Sequence, residues 1–320
     1  AGLTVALVLI PQSMAYAQLA WLPIEVGLYT AFIPVIIAAL FGSSPQMSTW
    51  PVTIVSLMTA TALAPLASSG IEWYVAYASL LAFFTGCFYL LIWNLRLGVI
   101  VDFLSHPVIV WFTNAAAILT ISSQLSKIFW VSAEKGSHYF LSLYYLFESI
   151  IQNIHIPTAT CGISSVLFLI LLWKFFPKLP RVLILLVLSI ALSYYFWYNT
   201  VYNWEIVKYI PATLPPISFN FLEISLENLE YSDIVRLAIF SIVIGLIWFT
   251  ESISVAKFVS YTTKKPLAPN KELIGQGLAN ISSSLFWGYG VAGSFSKTAV
   301  NLKAGATTGF TSVVTGIMVW

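Results

Sequence analysis

Charged residues are scarce in this sequence. Asp, Glu, Lys and Arg make up 8% of the 320 residues, whereas an average soluble domain contains about 25%. So little charge cannot cover a water-facing surface, and most of the chain is therefore expected to face lipid. The net charge of +2 is also too small to attract a polyanion, so we expect no nucleic-acid partner.

Residues that hold metals or form disulfides are also few. Cys87 and Cys161 both lie in apolar stretches, and the 3 histidines lie far apart without ligand spacing. The HExxH, P-loop and GxSxG patterns are missing. We therefore expect no metal and no cofactor, and we expect that the protein is not an enzyme. A membrane-embedded enzyme is the remotest alternative, because no nucleophile–base pair supports it.

Both ends of the sequence lie inside apolar runs. The chain begins with AGLTVALVLI, without the basic region or cleavage site of a signal peptide, and ends with TSVVTGIMVW. A spanning helix needs about 20 apolar residues. We therefore expect this chain to be a fragment of a longer protein.

Long apolar runs recur between these ends and predict membrane-spanning helices. They cover residues 1–20, 25–42, 72–95, 107–128, 157–176, 182–198, 234–259 and 271–288. Two further runs, 51–65 and 295–304, are too short to span, and a last one begins near residue 307. The segment 139–154 is typical of an interfacial helix, and the polar stretch 199–233 predicts an extramembrane loop.

The loops between the runs differ in charge. Basic residues fall on one side of the predicted membrane, namely Arg96, Lys174, Lys178, Arg181, Lys264, Lys265, Lys271 and Lys303. Acidic residues fall on the other, namely Glu25, Glu72, Glu134, Glu205, Glu223, Glu227, Glu230 and Asp233. The positive-inside rule makes the first side cytoplasmic. We expect a multi-pass protein of a bacterial inner membrane.

Two stretches share an unusual order of residues. Each has a helix that ends in Leu-Phe and Gly, then small and polar residues, then a short helix, at residues 40–58 and 285–300. Interrupted segments in both halves of a membrane protein indicate a transporter site. The start of each short helix would offer unpaired N–H groups and about half a positive charge to an anion. Two loops that dip into the membrane surface are the structural alternative.

Two charged residues interrupt apolar runs. A charge near the bilayer centre costs about 2.5–3.5 kcal/mol, so Lys297 is expected to face a cavity. The alternative is a lysine that extends to the headgroups. Glu251 carries the same cost and is a candidate ion-pair partner of Lys297, proton carrier or cation ligand. Gln12 and Tyr16 share a helix face and are candidate ligand donors or packing residues. Asp102 and His106 are interpreted as structural.

Gln12, Tyr16, His106 and Lys297 lie within motifs that resemble a known family. The motifs PQSMAYAQLA, GLYTAF, PVTIVSLM, FLSHPV and NKELIGQGLANISSSLFWGYGVAGSFSKTAVNLKAGATT are similar to those of the SulP (sulfate permease) family, which includes prestin. The resemblance implies an all-α polytopic membrane fold of two inverted seven-segment repeats, like the uracil transporter, truncated here after the start of segment eleven. It also implies that a cytoplasmic STAS domain and the last three segments are missing.

The resemblance also implies a domain organisation. Residues 1–96 and 233–320 would form the core, or transport, domain with segments one to four and eight to eleven. Residues 97–200 would form part of the gate domain, and 201–232 an extracellular loop. A homodimer is expected through the missing C-terminal parts.

Site residues follow from the same resemblance. The anion would lie between the starts of half-helices three and ten, each preceded by a short extended stretch. The lining residues would be Gln12 and Tyr16 from segment one, Val52 and Thr53 from segment three, and Ser294, Phe295, Ser296 and Lys297 from segment ten. Glu251 stands where family members often carry an acidic residue in segment eight. We expect it to couple transport to protons, because an ionised carboxylate would weaken the positive field at the anion and protonation would restore that field.

Several positions depart from the family pattern. Trp50 replaces a common glycine, Trp111 a small residue, Ala292 a serine and Lys297 an arginine. Lysine lacks the planar fork that binds oxyanions through two hydrogen bonds. A cyanobacterial sodium–bicarbonate member has Asp and Thr four residues apart in segment eight. Here the pair is Glu251 and Val255, and valine offers no oxygen, which argues against sodium coupling.

The sequence therefore predicts a secondary active transporter of sulfate or a similar small inorganic or organic anion. We expect coupling to protons and an elevator movement of the core domain in the lipid bilayer. Exchange of chloride, bicarbonate or a dicarboxylate is the alternative within transport. A membrane protein that binds an anion to sense or move, without transporting it, is the alternative from another class.

Overall fold

A computed structural model describes residues 2–98, 106–131, 139–176, 181–196, 217 and 219–319 of the chain. The helices in these ranges are α1 (Gly2–Leu19), α2 (Ile24–Phe41), α3 (Thr53–Leu63), α4 (Ile71–Asn94), α5 (His106–Phe129), α6 (Tyr139–Asn153), α7 (Ile156–Phe175), α8 (Arg181–Tyr195), α9 (Asn220–Asn228), α10 (Tyr231–Thr263), α11 (Pro269–Leu285), α12 (Phe295–Lys303) and α13 (Phe310–Val319). Two short strands, β1 (Thr49–Trp50) and β2 (Ala292–Gly293), precede α3 and α12, and a 3-10 helix, Ala64–Ser69, follows α3.

The chain divides into two compact units. Unit 1 combines residues 1–109 with 211–320, and unit 2 comprises 110–210. The division expected from the sequence, with boundaries after residues 96, 200 and 232, stays a prediction.

Four helices in the described ranges are long and apolar enough to cross a membrane. They are α2, α4, α7 and α10. The runs at 1–20, 107–128, 182–198 and 271–288 coincide with α1, α5, α8 and α11, for which a membrane crossing remains a prediction. The segment 139–154 is helical as expected, because α6 occupies it.

Unit 1 owes its close packing to small residues. Helix α11 packs on α4 and on α2. A Cβ added to Gly86 of α4 would lie 2.7 Å from the Gly277 carbonyl oxygen, and one added to Gly275 would lie 2.6 Å from the Gly42 Cα. Glycines let helix backbones approach closely in membranes, where van der Waals contact drives association. The packing holds α11 centrally in unit 1.

The region predicted as a loop, 199–233, contains a helix. Helix α9 lies there and packs against α4. Phe221 of α9 is fully buried beside Phe83, with 5.9 Å between ring centroids. Phe221 and Leu222 of this helix therefore cover part of the core. The mixed polar composition of NFLEISLEN gave no sign of this burial. The remaining residues of this stretch up to 216, together with Asp102, lie outside the described part.

Unit 2 contains apolar helices with little burial. Helices α7 and α8 pack against each other, while α8 has no fully buried residue and α7 buries only Ala159. Trp111, at the start of this unit, is 75% exposed. Such apolar surfaces are typical of helices that face lipid or further protein.

Candidate functional site

Two segments from opposite ends of the chain cross inside unit 1. Strand β1 pairs with β2 in antiparallel register, with Thr49 opposite Gly293 and Trp50 opposite Ala292. The Ser294 N–H donates to the Ser48 carbonyl at 2.9 Å. Helices α3 and α12 begin just after these strands, so both amino ends lie at the crossing. The predicted half-helices preceded by extended stretches are thereby confirmed, and the alternative of two separate surface loops is not.

Both helix starts present unpaired backbone donors. Val52 and Ser294 precede the helices in extended conformation, and within the described residues neither side chain caps its helix. The first N–H groups that reach an intrahelical acceptor are those of Ser56 and Thr298, each at 3.0 Å. The N–H groups before them have no acceptor in their helix. Such groups, with the positive end of the helix dipole, can hold an anion.

Lys297 lies at the same place. Its side chain is only 3% exposed, and its ammonium donates to the Pro51 carbonyl at 3.0 Å. The ammonium lies 4.8 Å from the centroid of the Tyr16 ring and 5.2 Å from that of the Trp50 ring. Lys297 therefore points back to the start of α3 and does not extend to the headgroups.

Glu251 brings a carboxylate close to this region, and Gln12 lies four residues before Tyr16 in α1. Glu251 of α10 interacts electrostatically with Lys297 and with Tyr16. In the part of the chain that the structure describes, no salt bridge within 4.0 Å joins Glu251 and Lys297. One buried oxygen of each of Glu251 and Gln12 has no hydrogen-bond partner there. Two buried acceptors thus remain available to a donor that a proton or ligand would supply.

The other predicted site residues divide into two groups. The first lies at the two helix starts and comprises Val52, Thr53, Ser294 and Ser296, and the second is Phe295 alone. Val52 is buried at the start of α3, and the Thr53 side chain interacts with the Tyr16 phenol. Ser294 is buried, and its hydroxyl lies 3.4 Å from that of Ser296, which is exposed.

Phe295 belongs to the second group. Its ring packs 6.1 Å from that of Phe258, centroid to centroid, and joins the apolar cluster of Met47, Val255 and Val259. The structure thus places the Phe295 ring in a different apolar cluster from Trp50.

A chain of hydrogen-bonded buried side chains supports the crossing, and none of its members was among the predicted site residues. Gln276 of α11 donates to the Thr49 hydroxyl at 2.9 Å and to Glu272 at 3.2 Å, and it accepts from Ser252 at 3.4 Å. Ser252 in turn accepts from the Gly293 N–H at 2.8 Å. Glu272 also accepts from the N–H and hydroxyl of Ser43, at 2.9 and 2.8 Å. One glutamine therefore links β1, β2 and α10.

A second set of contacts holds the chain just before β2. Asn280 donates to the Val291 carbonyl at 3.1 Å and accepts from the Val291 N–H at 3.0 Å. The hydroxyls of Tyr289 and Ser56 lie 3.0 Å apart. The spacing of Glu272, Gln276 and Asn280, four residues apart on one helix face, is the sequence signal that could have predicted this support.

Comparison with known proteins shows where this chain belongs. The sequence profile described as the sulfate permease family matches residues 1–320. The chain is similar to the chloroplastic sulfate transporter 4.1 of Arabidopsis thaliana, with 34% identity over 331 residues that cover 100% of this chain and 46% of the relative. It is also similar to a sodium-independent sulfate anion transporter of Bos taurus, at 31% identity, with 100% of this chain and 56% of the relative covered. The chain thus spans about half the length of these relatives.

Solved structures share the fold. The transmembrane domain of a cyanobacterium bicarbonate transporter, BicA, superposes with a TM-score of 0.81 at 23% identity, over 99% of this chain and 79% of that one. The murine Solute Carrier 26 family member A9 anion transporter in the inward-facing state gives a TM-score of 0.85 at 20% identity, over 99% and 54%. The predicted all-α membrane fold, with its 7+7 inverted-repeat architecture, is confirmed. Because the family profile extends over every residue given, this membrane chain belongs to the sulfate permease family.

Proposed function

We propose that this protein is a secondary active transporter of a small anion, with sulfate as the leading substrate. One observation carries the proposal: the amino ends of α3 and α12 meet, and the Lys297 ammonium lies 3.0 Å from the Pro51 carbonyl at the meeting point. Unpaired N–H groups and a buried cation together form a site for an anion away from bulk water. The names of the sulfate transporters among the relatives support the choice of substrate.

The charge at the crossing favours a dianion. Each helix start contributes about half a positive charge, and Lys297 contributes one, which gives about two in total. The Ser296 hydroxyl adds a neutral donor, and its exposure suits contact with an incoming ion. Chloride or bicarbonate exchange is the second candidate, supported by the fold shared with the bicarbonate transporter BicA.

Glu251 is proposed to couple the anion to a proton. An ionised carboxylate close to Lys297 weakens the positive field at the crossing, and protonation restores it. Proton and anion then favour each other's binding by the same factor, because linkage between two binding events is reciprocal. The unpartnered Glu251 oxygen is the atom that the proton would occupy or neutralise.

We also propose how the site is carried across the membrane. The crossing and its supporting residues belong to unit 1, which would move as an elevator domain while unit 2 forms part of the gate. The proposed setting is a bacterial inner membrane, and the proposed assembly is a homodimer through parts of the protein outside this chain.

The direct test is radiolabelled sulfate uptake by the purified protein in proteoliposomes. We expect faster uptake with an inwardly directed proton gradient. Glu251→Gln should remove the dependence on the gradient, because the amide cannot exchange the proton. Glu72→Gln is the matched control, since Glu72 lies exposed in the first turn of α4. Equal uptake by the unmodified protein with and without the gradient would refute proton coupling.

A counterflow assay separates the candidate substrates. Liposomes loaded with sulfate, chloride, bicarbonate or a dicarboxylate are compared for labelled sulfate entry. Stimulation by internal chloride or bicarbonate alone would favour the exchanger. Anion binding without flux under every condition would favour a non-transporting protein.

A further inference from the structure

The Lys297 ammonium is enclosed on two sides by aromatic rings. The Tyr16 and Trp50 centroids lie 4.8 and 5.2 Å from the nitrogen, within the distance of about 6 Å at which a cation interacts with a ring face. The Pro51 carbonyl accepts one of the three N–H bonds. The directions left open to the two remaining N–H bonds are therefore restricted.

Trp50 contributes more than bulk at this position. It is fully buried and its indole packs in a cluster with Val5, Leu9 and Val35, which fixes the ring in place. Lysine has a long, flexible side chain that loses its conformational freedom only when contacts hold it. Indole is the aromatic group that attracts a cation most strongly. A ring fixed by the core on one side and near the ammonium on the other can determine where the charge is placed.

We propose that Trp50 is a positioning residue, which with Tyr16 clamps the Lys297 ammonium at the start of α3 and so sets the affinity of the crossing for its anion. The proposal rests on the anion site described under the proposed function. It adds a residue that does not touch the anion and acts through the lysine. A clamped ammonium is already ordered before the anion binds. Binding therefore does not carry the entropy cost of fixing the lysine side chain. A guanidinium is broader and planar, so we expect the clamp to accept it less well than the compact ammonium.

Fluorination of the indole tests the clamp without altering its shape appreciably. Mono-, di- and trifluorotryptophan at position 50 progressively weaken the negative potential of the ring face. We expect the KM for radiolabelled sulfate in proteoliposomes to rise stepwise, by about 3- to 10-fold at the trifluoro stage, with Vmax within about twofold of the unmodified protein. A loss of packing alone would not follow the number of fluorine atoms.

Trp248 provides a matched control within the same unit. Both tryptophans are fully buried, and in the described residues both indole N–H groups lack a hydrogen-bond partner. Trp248 packs instead near Gly290 and Val55. The same fluorinated series at position 248 should leave the KM for sulfate unchanged even where it lowers the Tm, because the fluorine atoms there meet Gly290 and not the ammonium.

A second measurement separates the clamp from transport itself. Thermal unfolding of the position-50 series should show a Tm that decreases with fluorination when Lys297 is present and is constant in the Lys297→Met background. If the unmodified protein takes up no sulfate while this Tm pattern holds, the proposed substrate is wrong, and the contact between Trp50 and the Lys297 ammonium is still supported. The clamp is refuted if the KM of an active protein stays constant or falls across the series. It is also refuted if the Tm changes with fluorination in the same way with and without Lys297.

A complementary pair of substitutions tests the shape of the clamp. Lys297→Arg alone should raise the KM, because the guanidinium is broader than the ammonium and the Trp50 ring centroid lies 5.2 Å from the lysine nitrogen. Trp50→Leu combined with Lys297→Arg should recover part of the affinity. Failure of the double variant to improve on Lys297→Arg, with both proteins folded by their Tm, would contradict the steric part of the proposal.

Discussion

Lys297 is the residue on which the electrostatics of the site depend. It is 3% exposed and, among the described residues, forms no salt bridge with a carboxylate. A buried charge without a direct counterion is costly unless a ligand compensates it. A carbonyl and two ring faces lower that cost only in part, so the ammonium retains an attraction for an incoming anion.

Removal of this charge should therefore weaken binding without unfolding the protein. Lys297→Met keeps the length of the side chain and deletes the cation. We expect the KM for sulfate to rise about 10- to 100-fold, the range for loss of a charge-assisted hydrogen bond. Lys303→Met is the control, because Lys303 lies exposed in the last turn of the same helix. Equal changes of the KM in the two variants would show that Lys297 is not part of the anion site.

The sequence predicted the charged residues better than their neighbours. Lys297 and Glu251 could be identified because each interrupts an apolar run. Trp50 stands out in the sequence only as a departure from a family pattern, because the sequence, with its 12 tryptophans, does not show which of them lies near Lys297. The Pro51 carbonyl could not be predicted at all, because its role depends on a partner far along the chain.

At the level of structural elements, Gln276 joins the strands that position both half-helices. Gln276→Leu would leave the Thr49 and Ser252 hydroxyls without this partner. We expect a loss of about 1–3 kcal/mol in the free energy of unfolding, the cost of unsatisfied buried polar groups, together with a higher KM for sulfate. Gln152→Leu in α6 is an exposed control. Denaturation in detergent and uptake assays measure both effects, and an unchanged KM would separate Gln276 from the site.

Gly290 provides a steric test of the same region. A Cβ at this position would lie 2.2 Å from two ring atoms of Trp248, a distance that real side chains do not tolerate. Gly290→Ala should lower the Tm by several degrees, since overpacking typically costs about 1–3 kcal/mol. Trp248→Phe removes the colliding end of the ring and should restore part of the Tm in the double variant. No rescue would mean that the strain arises elsewhere.

The positions of the long helices follow from hydropathy, whereas the pairing of β1 with β2 does not. The long runs became helices, and the short runs 51–65 and 295–304 became α3 and α12. Hydropathy does not predict helix α9, because polar residues outnumber apolar ones in NFLEISLEN. The register of β1 on β2 was beyond prediction, since two-residue strands offer no alternation from which to infer it.

At the level of the whole molecule, charge asymmetry predicts the orientation. Lys271→Cys and Glu227→Cys, each in a background without Cys87 and Cys161, lie at exposed positions of α11 and α9. By the positive-inside rule, a membrane-impermeant maleimide should label position 227 in intact cells and position 271 only in inverted vesicles. The reverse pattern would invert the predicted topology.

The pairing of β1 with β2 has a consequence for how the protein is made. Pro51 and Lys297 are 246 residues apart, and a ribosome adding about 5–20 residues per second needs on the order of ten to fifty seconds to cover that interval. Until then the backbone around residue 50 lacks its partner strand, in surroundings where lipid cannot satisfy it. During biogenesis this unpaired backbone must therefore be kept out of the lipid, by delayed insertion or by a chaperone, until strand β2 has been synthesised.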